Sequence, residues 1–245
     1  MSDSPVWIIT GASRGIGAAI ARHAYKHGCT VVLLARGSAV EEIAQSLGER
    51  AVGLMVDVAD GAAVKAVVSE VLARFGRIDV LVNNAGLHRG GRVSSLSDED
   101  WQAVLDVNLS GPLNTVRAVT PNLKAGASII NIGAVVGFRG FAGDVAYASS
   151  KAGLSGMTKA LAIELGRRGI TANLVVPGLV QTEMTAGLSD RALQSMKDKI
   201  PVARFGEEED IAMVVYWVAQ SRYMTGAIIP VDGGLLASFG ALPRE

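Results

Sequence analysis

The feature that most constrains this chain is a regular alternation. Short runs that are apolar on both faces alternate with longer amphipathic stretches from end to end. The short runs cover residues 6–10, 31–35, 51–56, 79–82, 128–132, 171–176 and 227–231 and are rich in β-branched residues, so they read as strands. Residues 15–28, 39–47, 62–75, 97–106, 146–168, 191–199 and 207–219 read as helices, with helix continuing past Pro112 towards Leu123. Ile16, Ile20 and Ala24 share one face of the first helix. Ser97 is placed to cap the helix that it opens, with Asp98 and Glu99 in the first turn. Strands apolar on both faces belong to a parallel sheet covered by helices on both sides. Right-handed crossovers then predict an α/β, doubly wound, open sheet of about seven strands. No Pro/Gly/Ser-rich linker and no internal repeat divides residues 1–245, so one domain is expected.

Composition narrows the function classes. The chain is 49% hydrophobic and 19% charged, which predicts a globular protein. Its formal net charge is zero and no basic stripe appears, so a nucleic-acid partner has no electrostatic footprint. The single cysteine, Cys29, cannot form an internal disulfide and reads as a buried small hydrophobe. His23 and His27 have a spacing that a metal could use on a helix. No acidic residue lies between them in a zinc-protease pattern, so both read as exposed helix residues, and no metal is expected. Residues 1–5 lack a positive leader and a separate apolar stretch, and no apolar run reaches the roughly 18 residues of a membrane span. No membrane association and a cytoplasmic location are therefore expected.

Thr10-Gly11-Ala12-Ser13-Arg14-Gly15-Ile16-Gly17 follows the first strand and opens the first helix. Glycines there permit a tight turn, and the backbone N–H groups and helix N-terminus can receive a pyrophosphate. Taken alone, the segment is a weak signal, with an ordinary turn as the alternative. Further motifs come in order: Asn83-Asn84-Ala85-Gly86, Val107-Asn108-Leu109, Tyr147-x-x-x-Lys151, Pro177-Gly178 and Val231-Asp232-Gly233-Gly234. With the Gly-x-x-x-Gly-x-Gly spacing, this series resembles the short-chain dehydrogenase/reductase family over essentially the whole chain. Within that family it is most similar to the 3-oxoacyl-acyl-carrier-protein reductases. The resemblance implies a Rossmann fold and hydride transfer between a nicotinamide dinucleotide and a ketone or alcohol.

An acid at the end of the second strand would hold an adenosine ribose and repel a 2′-phosphate. This chain has Leu34-Ala35-Arg36 there. Arg36 can pair with the phosphate, and the resemblance places Arg14 beside the same group, so NADP(H) is expected. It also implies that Gly11, Ser13, Gly15, Ile16 and Gly17 form the phosphate loop and that Asp57 and Val58 touch adenine. Asn83, Ala85 and Gly86 would line the adenosine ribose and the middle of the cofactor. Pro177, Gly178, Val180 and Thr182 would hold the nicotinamide end.

Tyr147 and Lys151 are four residues apart and share a helix face. By resemblance, Tyr147 gives a proton to the carbonyl oxygen, and Lys151 and the oxidised nicotinamide lower its pKa. Lys151 also binds ribose hydroxyls, and Asn108 holds a water in a proton relay. The family carries a serine 13 residues before this tyrosine, and that position here is Ala134. Alanine has no donor, and losing one such donor costs about 10²–10³ in rate. The intact remainder of the site favours an active-site Ser-to-Ala variant with reduced turnover over a natural departure. A dinucleotide-binding regulatory protein without turnover stands as the alternative.

Residues 179–200, with Met184, Leu188 and Met196, read as a substrate lid hinged at Gly178, and Phe138 and Phe141 as pocket walls. Arg167 and Arg168 are candidates for an acidic carrier protein, but Lys124 is the only basic residue near a second expected cluster. A small-molecule ketone or alcohol is therefore the expected substrate. Val214, Tyr216, Trp217 and the apolar segment 235–239 predict a homotetramer with two-fold axes.

Overall fold

In the computed structural model, residues 4–180 and 190–238 are described, with side chains from 193 onward in the second span. Thr182, Met184, Leu188 and Phe239 lie outside these residues. The strands are β1 (Val6–Thr10), β2 (Thr30–Ala35), β3 (Ala51–Met55), β4 (Val80–Asn83), β5 (Ser128–Ile132), β6 (Thr171–Pro177) and β7 (Ile228–Val231). They form one sheet in the order β3-β2-β1-β4-β5-β6-β7, and every neighbouring pair is parallel. The order reverses between β1 and β4, and the diverging loops leave a crevice at the carboxyl ends of those strands.

Alternation along β1 explains why its sequence is apolar throughout. Trp7 and Ile9 enter a core with α1 (Gly15–Lys26) and α9 (Glu208–Gln220), where they meet Ile20, Ile211 and Val215. Val6 and Ile8 point the other way, into a core with α3 (Gly61–Phe75) and α5 (Gly111–Val119), against Val64, Val68 and Val116. A third cluster, around Leu154, Leu174, Ile200 and Phe205, closes the β6–β7 end. The Cys29 side chain is buried, as expected.

The remaining helices are α2 (Ala39–Leu47), α4 (Asp98–Leu105), α6 (Val136–Arg139), α7 (Val145–Gly166) and α8 (Asp190–Lys197). Local chemistry sets their ends. The Asp60 carboxylate accepts from Ala62 N and Ala63 N at the start of α3, and Ser97 Oγ accepts from Asp100 N at the start of α4. Gly76 ends α3 with φ of 72°.

Two expectations are corrected by the structure, and one element is new. The helix expected from Ser97 to beyond Pro112 is broken by a π-helical turn, Asp106–Ser110, and resumes as α5 with Pro112 in its first turn. Proline is tolerated there because its missing N–H would have no intrahelical partner. The α6 turn was not expected. His23 is mostly buried, with Nδ1 2.6 Å from Glu209 Oε1, whereas His27 is exposed.

The proposed assembly surface also divides. Tyr216 stacks on Trp7 at 5.7 Å, and Val214 packs on the core. Leu235 is buried and Leu236 half-buried, whereas Met213 and Trp217 are 52% and 59% exposed. No helix among the described residues is long and apolar enough to cross a membrane. Nor do those residues contain a group of three or more His, Cys, Asp or Glu that could hold a metal.

Gly17 is where α1 meets the end of β1. A Cβ there would lie 2.4 Å from Gly11 O and 2.5 Å from Asn84 Nδ2. Backbone cannot retreat as a flexible side chain can. Gly17→Ala is expected to cost about 3 kcal/mol, a fall in Tm of roughly 6–12 °C for a chain of this size. Thermal unfolding followed by circular dichroism checks this.

Candidate active site

A cleft of about 770 Å³ opens at the carboxyl ends of the central strands. At its floor, β1 ends in the glycine loop. Gly11 has φ of 64°, and a Cβ on it would lie 2.7 Å from Ala85 Cα, so only glycine fits there. Thr10 Oγ1 accepts from Asn84 N (2.9 Å) and Ala85 N (3.0 Å), fastening this turn to the loop after β4. Asn84 Nδ2 donates to Thr10 O (3.0 Å) and Gly11 O (3.1 Å). The helix N-cap residue, Arg14, is extended and makes no side-chain cap. The first turn of α1 thus keeps its partial positive charge directed at the cleft.

Gly11, Ser13, Arg14 and Ile16 line the cleft, as do Arg36, Asp57 and Val58 beyond the ends of β2 and β3. Ala85 and Gly86 line its middle. Pro177, Gly178 and Val180 line the β6 side, with Met196 near them. Gly15 and Gly17 do not line it: Gly15 turns the chain with φ of 60°, and Gly17 serves the packing described above.

Asn83 also departs from expectation. It ends β4 facing inward and is 3% exposed. Its Nδ2 donates to Asn131 Oδ1 (2.9 Å), and its Oδ1 accepts from Thr115 Oγ1 (2.6 Å). Asn84, one position on, is the asparagine in the cleft. Strand alternation decides which of the two neighbours turns inward.

The far end of the cleft holds Ala134, Tyr147 and Lys151. The α6 turn after Ala134 is pressed on α7, where a Cβ on Gly137 would lie 2.8 Å from Ala152 N. Lys151 is buried, and its Nζ donates to Ile132 O at 2.9 Å. Burial lowers its pKa to about 8. Lys151 Nζ lies 5.7 Å from the centroid of the Tyr147 ring.

Tyr147 does not have the lowered pKa expected beside an ammonium. Burial, and then the Asp144 carboxylate, push it up to about 12. A desolvated ammonium that readily loses its own proton is a weak counterweight. Asp144 lies three residues before Tyr147, a helix-neighbour spacing that could have signalled this effect from sequence.

Asn108 sits in the π-helical turn, fully buried and outside the cleft lining. Its Nδ2 donates to Leu87 O (2.9 Å) and Ser150 Oγ (3.1 Å), and its Oδ1 accepts from Leu87 N (2.7 Å). It therefore ties the loop after β4 to α7. Phe138 and Phe141 do not line the cleft and are 41% and 69% exposed. Sequence reading overlooked His88 and Asp144, both of which line the cleft beside Tyr147. Arg168 donates to Thr120 O and Leu123 O, which ties it to the end of the segment after α5.

Residues 11–236 match a family model described as Enoyl-(Acyl carrier protein) reductase. A 3-oxoacyl-[acyl-carrier-protein] reductase from Staphylococcus aureus is 40% identical over 237 residues, 93% of this chain and 96% of the relative. The Thermotoga maritima protein of the same description is 40% identical over 245 residues, 96% of this chain and 98% of the relative. Among solved structures, a blue fluorescent protein from a metagenomic library in complex with NADPH superposes with a TM-score of 0.89. It is 36% identical, covering 94% of this chain and 97% of that one. A short-chain dehydrogenase/reductase from Brucella melitensis gives 0.91 at 30% identity, covering 94% and 96%. A parallel sheet with its cleft at the strand-order reversal, a tyrosine and lysine one turn apart within that cleft, and matches across nearly the whole length agree: this chain is an oxidoreductase of the short-chain dehydrogenase/reductase family.

Proposed function

We propose that the chain is an NADPH-dependent carbonyl reductase that converts a small ketone to its alcohol, with the reverse oxidation open to it. The observation that carries this reading is the placement of Tyr147 and Lys151, one helical turn apart, at one end of a cleft that also contains Arg14 and Arg36. The cleft fits a nicotinamide dinucleotide phosphate. Gly11 leaves room where a Cβ would collide, the α1 N-terminus has no side-chain cap, and two guanidinium groups suit a 2′-phosphate.

Arg14 and Arg36 would hold that phosphate. Ser13 and Ile16 would hold the pyrophosphate, Asp57 and Val58 the adenine, and Ala85 and Gly86 the middle of the molecule. Pro177, Gly178, Val180 and Thr182 would hold the nicotinamide end. Bound there, the nicotinamide supplies a hydride to the carbonyl carbon. Tyr147 gives its phenolic proton to the carbonyl oxygen, and Lys151 orients ribose hydroxyls and, while protonated, stabilises the phenolate that is left.

Ala134 stands where the family's serine would hold the substrate oxygen, so the chain reads as a Ser-to-Ala form of such an enzyme. That same alanine favours the second reading, a dinucleotide-binding regulatory protein without turnover. NADPH oxidation by this chain and by Ala134→Ser, over β-ketoesters, acetoacetyl thioesters, cyclic ketones and quinones, separates the two. The expected result is turnover by the serine form, faster by up to about 10²-fold where nothing else donates to the oxygen. NADPH binding by both forms with reduction by neither would favour the regulatory reading.

A pH dependence arises from Lys151. Its charged form is the acid form, present below about pH 8 and lost above it. The kcat/KM of the reduction, which reports the free enzyme, should therefore fall as pH rises through about 8. Tyr147 keeps its proton until about pH 12 and should add no fall before then. A log(kcat/KM) profile from pH 6 to 10 checks the position of the break.

A further inference from the structure

Among the described residues, the cleft contains one ionisable pair to which the ketone-reductase reading gives no task. His88 lies in the loop after β4, and Asp144 opens α7; both line the cleft with Ala134 and Tyr147. His88 Nε2 lies 2.8 Å from Asp144 Oδ1. The two loops that carry them are fastened by Gly91 N donating to Gly143 O at 2.8 Å, so the pair is held across 56 residues of sequence by a backbone as well as a side-chain hydrogen bond. The imidazole packs edge-on against the Tyr147 ring, with centroids 5.1 Å apart and planes at 77°. Nδ1 of His88 has no hydrogen-bond partner among the described residues.

A substrate oxygen that takes a proton from Tyr147 must come within about 3 Å of its hydroxyl. In the family pattern a second donor meets that oxygen from the position of Ala134, whose methyl group has none. We propose that His88, oriented by Asp144, donates to the substrate oxygen the hydrogen bond that Ala134 has no atom to make. This inference rests on the ketone-reductase reading.

The chemistry suits the pair. A carboxylate at Nε2 fixes the ring, and in the protonated ring, whose charge the carboxylate compensates, Nδ1–H faces outward as a donor. No proton leaves His88 in the step. Hydride adds to the carbonyl carbon, the carbonyl π pair moves to oxygen, and the Tyr147 proton completes the alcohol, while the His88 N–H steadies the charge developing on oxygen. A protonated His88 would also offset the Asp144 charge, which adds to burial in holding the proton on Tyr147.

The test is a double-mutant cycle between positions 88 and 134. In the chain with Ala134, His88→Leu is expected to lower kcat about 10²-fold. In the Ala134→Ser background the same change is expected to lower it about threefold or less, because the serine hydroxyl then meets the oxygen. With His88 present, Ala134→Ser should raise kcat less than about tenfold. A side chain that only staples the two loops would give the same loss in both backgrounds, and that result overturns the proposal. So does an Ala134 chain with no measurable reduction of a ketone that the serine form reduces. Thermal melting and NADPH fluorescence check that each variant is folded. If His88→Leu fails that check, the cycle is read with Asp144→Asn, which keeps the shape and removes the carboxylate charge. Should the serine form itself reduce no ketone, the reductase reading fails, and the His88 assignment fails with it.

Discussion

Tyr147→Phe should lower kcat for ketone reduction by about 10³-fold while changing the dissociation constant for NADPH by no more than a few fold. The substitution removes one oxygen and leaves the ring that packs on His88. A positioned general acid contributes about 10²–10⁴ in rate. Of the other groups named beside the reacting oxygen, Ala134 has no donor, Lys151 Nζ is engaged with Ile132 O, and His88 is assigned a hydrogen bond to the oxygen with its proton retained. Tyr147 is half-buried, which limits the access of bulk water as a substitute. The measurement is steady-state kcat for the best ketone, in the Ala134 and Ala134→Ser backgrounds, with NADPH affinity from fluorescence titration. A loss under tenfold in both backgrounds would remove Tyr147 as the proton donor. A matching loss of NADPH affinity would instead make it a cofactor-binding residue.

The second large effect belongs to Arg14 and Arg36. Both line the cleft, one in the glycine loop and the other just past β2, where an acid would have excluded a 2′-phosphate. Each charge-assisted hydrogen bond is worth about 1.5–3 kcal/mol. Removing both with Arg14→Ala and Arg36→Ala should weaken NADPH by about 3–6 kcal/mol, roughly 10²–10⁴ in dissociation constant. NADH lacks the phosphate, so its affinity should change only a few fold. Titrating both dinucleotides against the double variant at fixed ionic strength checks the difference. Equal weakening of the two would show that the arginines support the loop and not the phosphate.

Most of the fold was legible because it rests on short-range patterns. Residues 6–10 are apolar without a break, and the structure uses that continuity by sending Trp7 and Ile9 to one core and Val6 and Ile8 to the other. Strand and helix ends fell mostly within a residue or two of their expected places, since caps such as Ser97 act locally. The break at Asp106–Ser110 was not legible. A π-helical turn keeps helical periodicity nearly intact while rotating α5 relative to α4, so the pattern reads through it.

The site divides along the same line. The glycine loop, Arg36, Ala134 and the Tyr147–Lys151 pair were readable from type and spacing, and the cleft brings them together. Neighbours and environments were not. Asn83 and Asn84 are adjacent and chemically identical, yet one is buried in a polar network with Thr115 and Asn131 while the other holds the glycine loop. Tyr147 was expected to be made more acidic by Lys151, and burial with Asp144 makes it less so. His88 meets Asp144 only because two loops far apart in sequence are fastened side by side.

The sequence by itself thus determined the parallel sheet, the glycine loop after its first strand, and the family to which the chemistry belongs. Those come from periodicity, from glycines at forced turns, and from residues one helical turn apart. Only the tertiary structure decided which asparagine enters the cleft, how tightly Tyr147 holds its proton, and that an imidazole stands beside it. Each of these depends on desolvation and on contacts between distant segments, and neither is encoded at any single stretch of the chain.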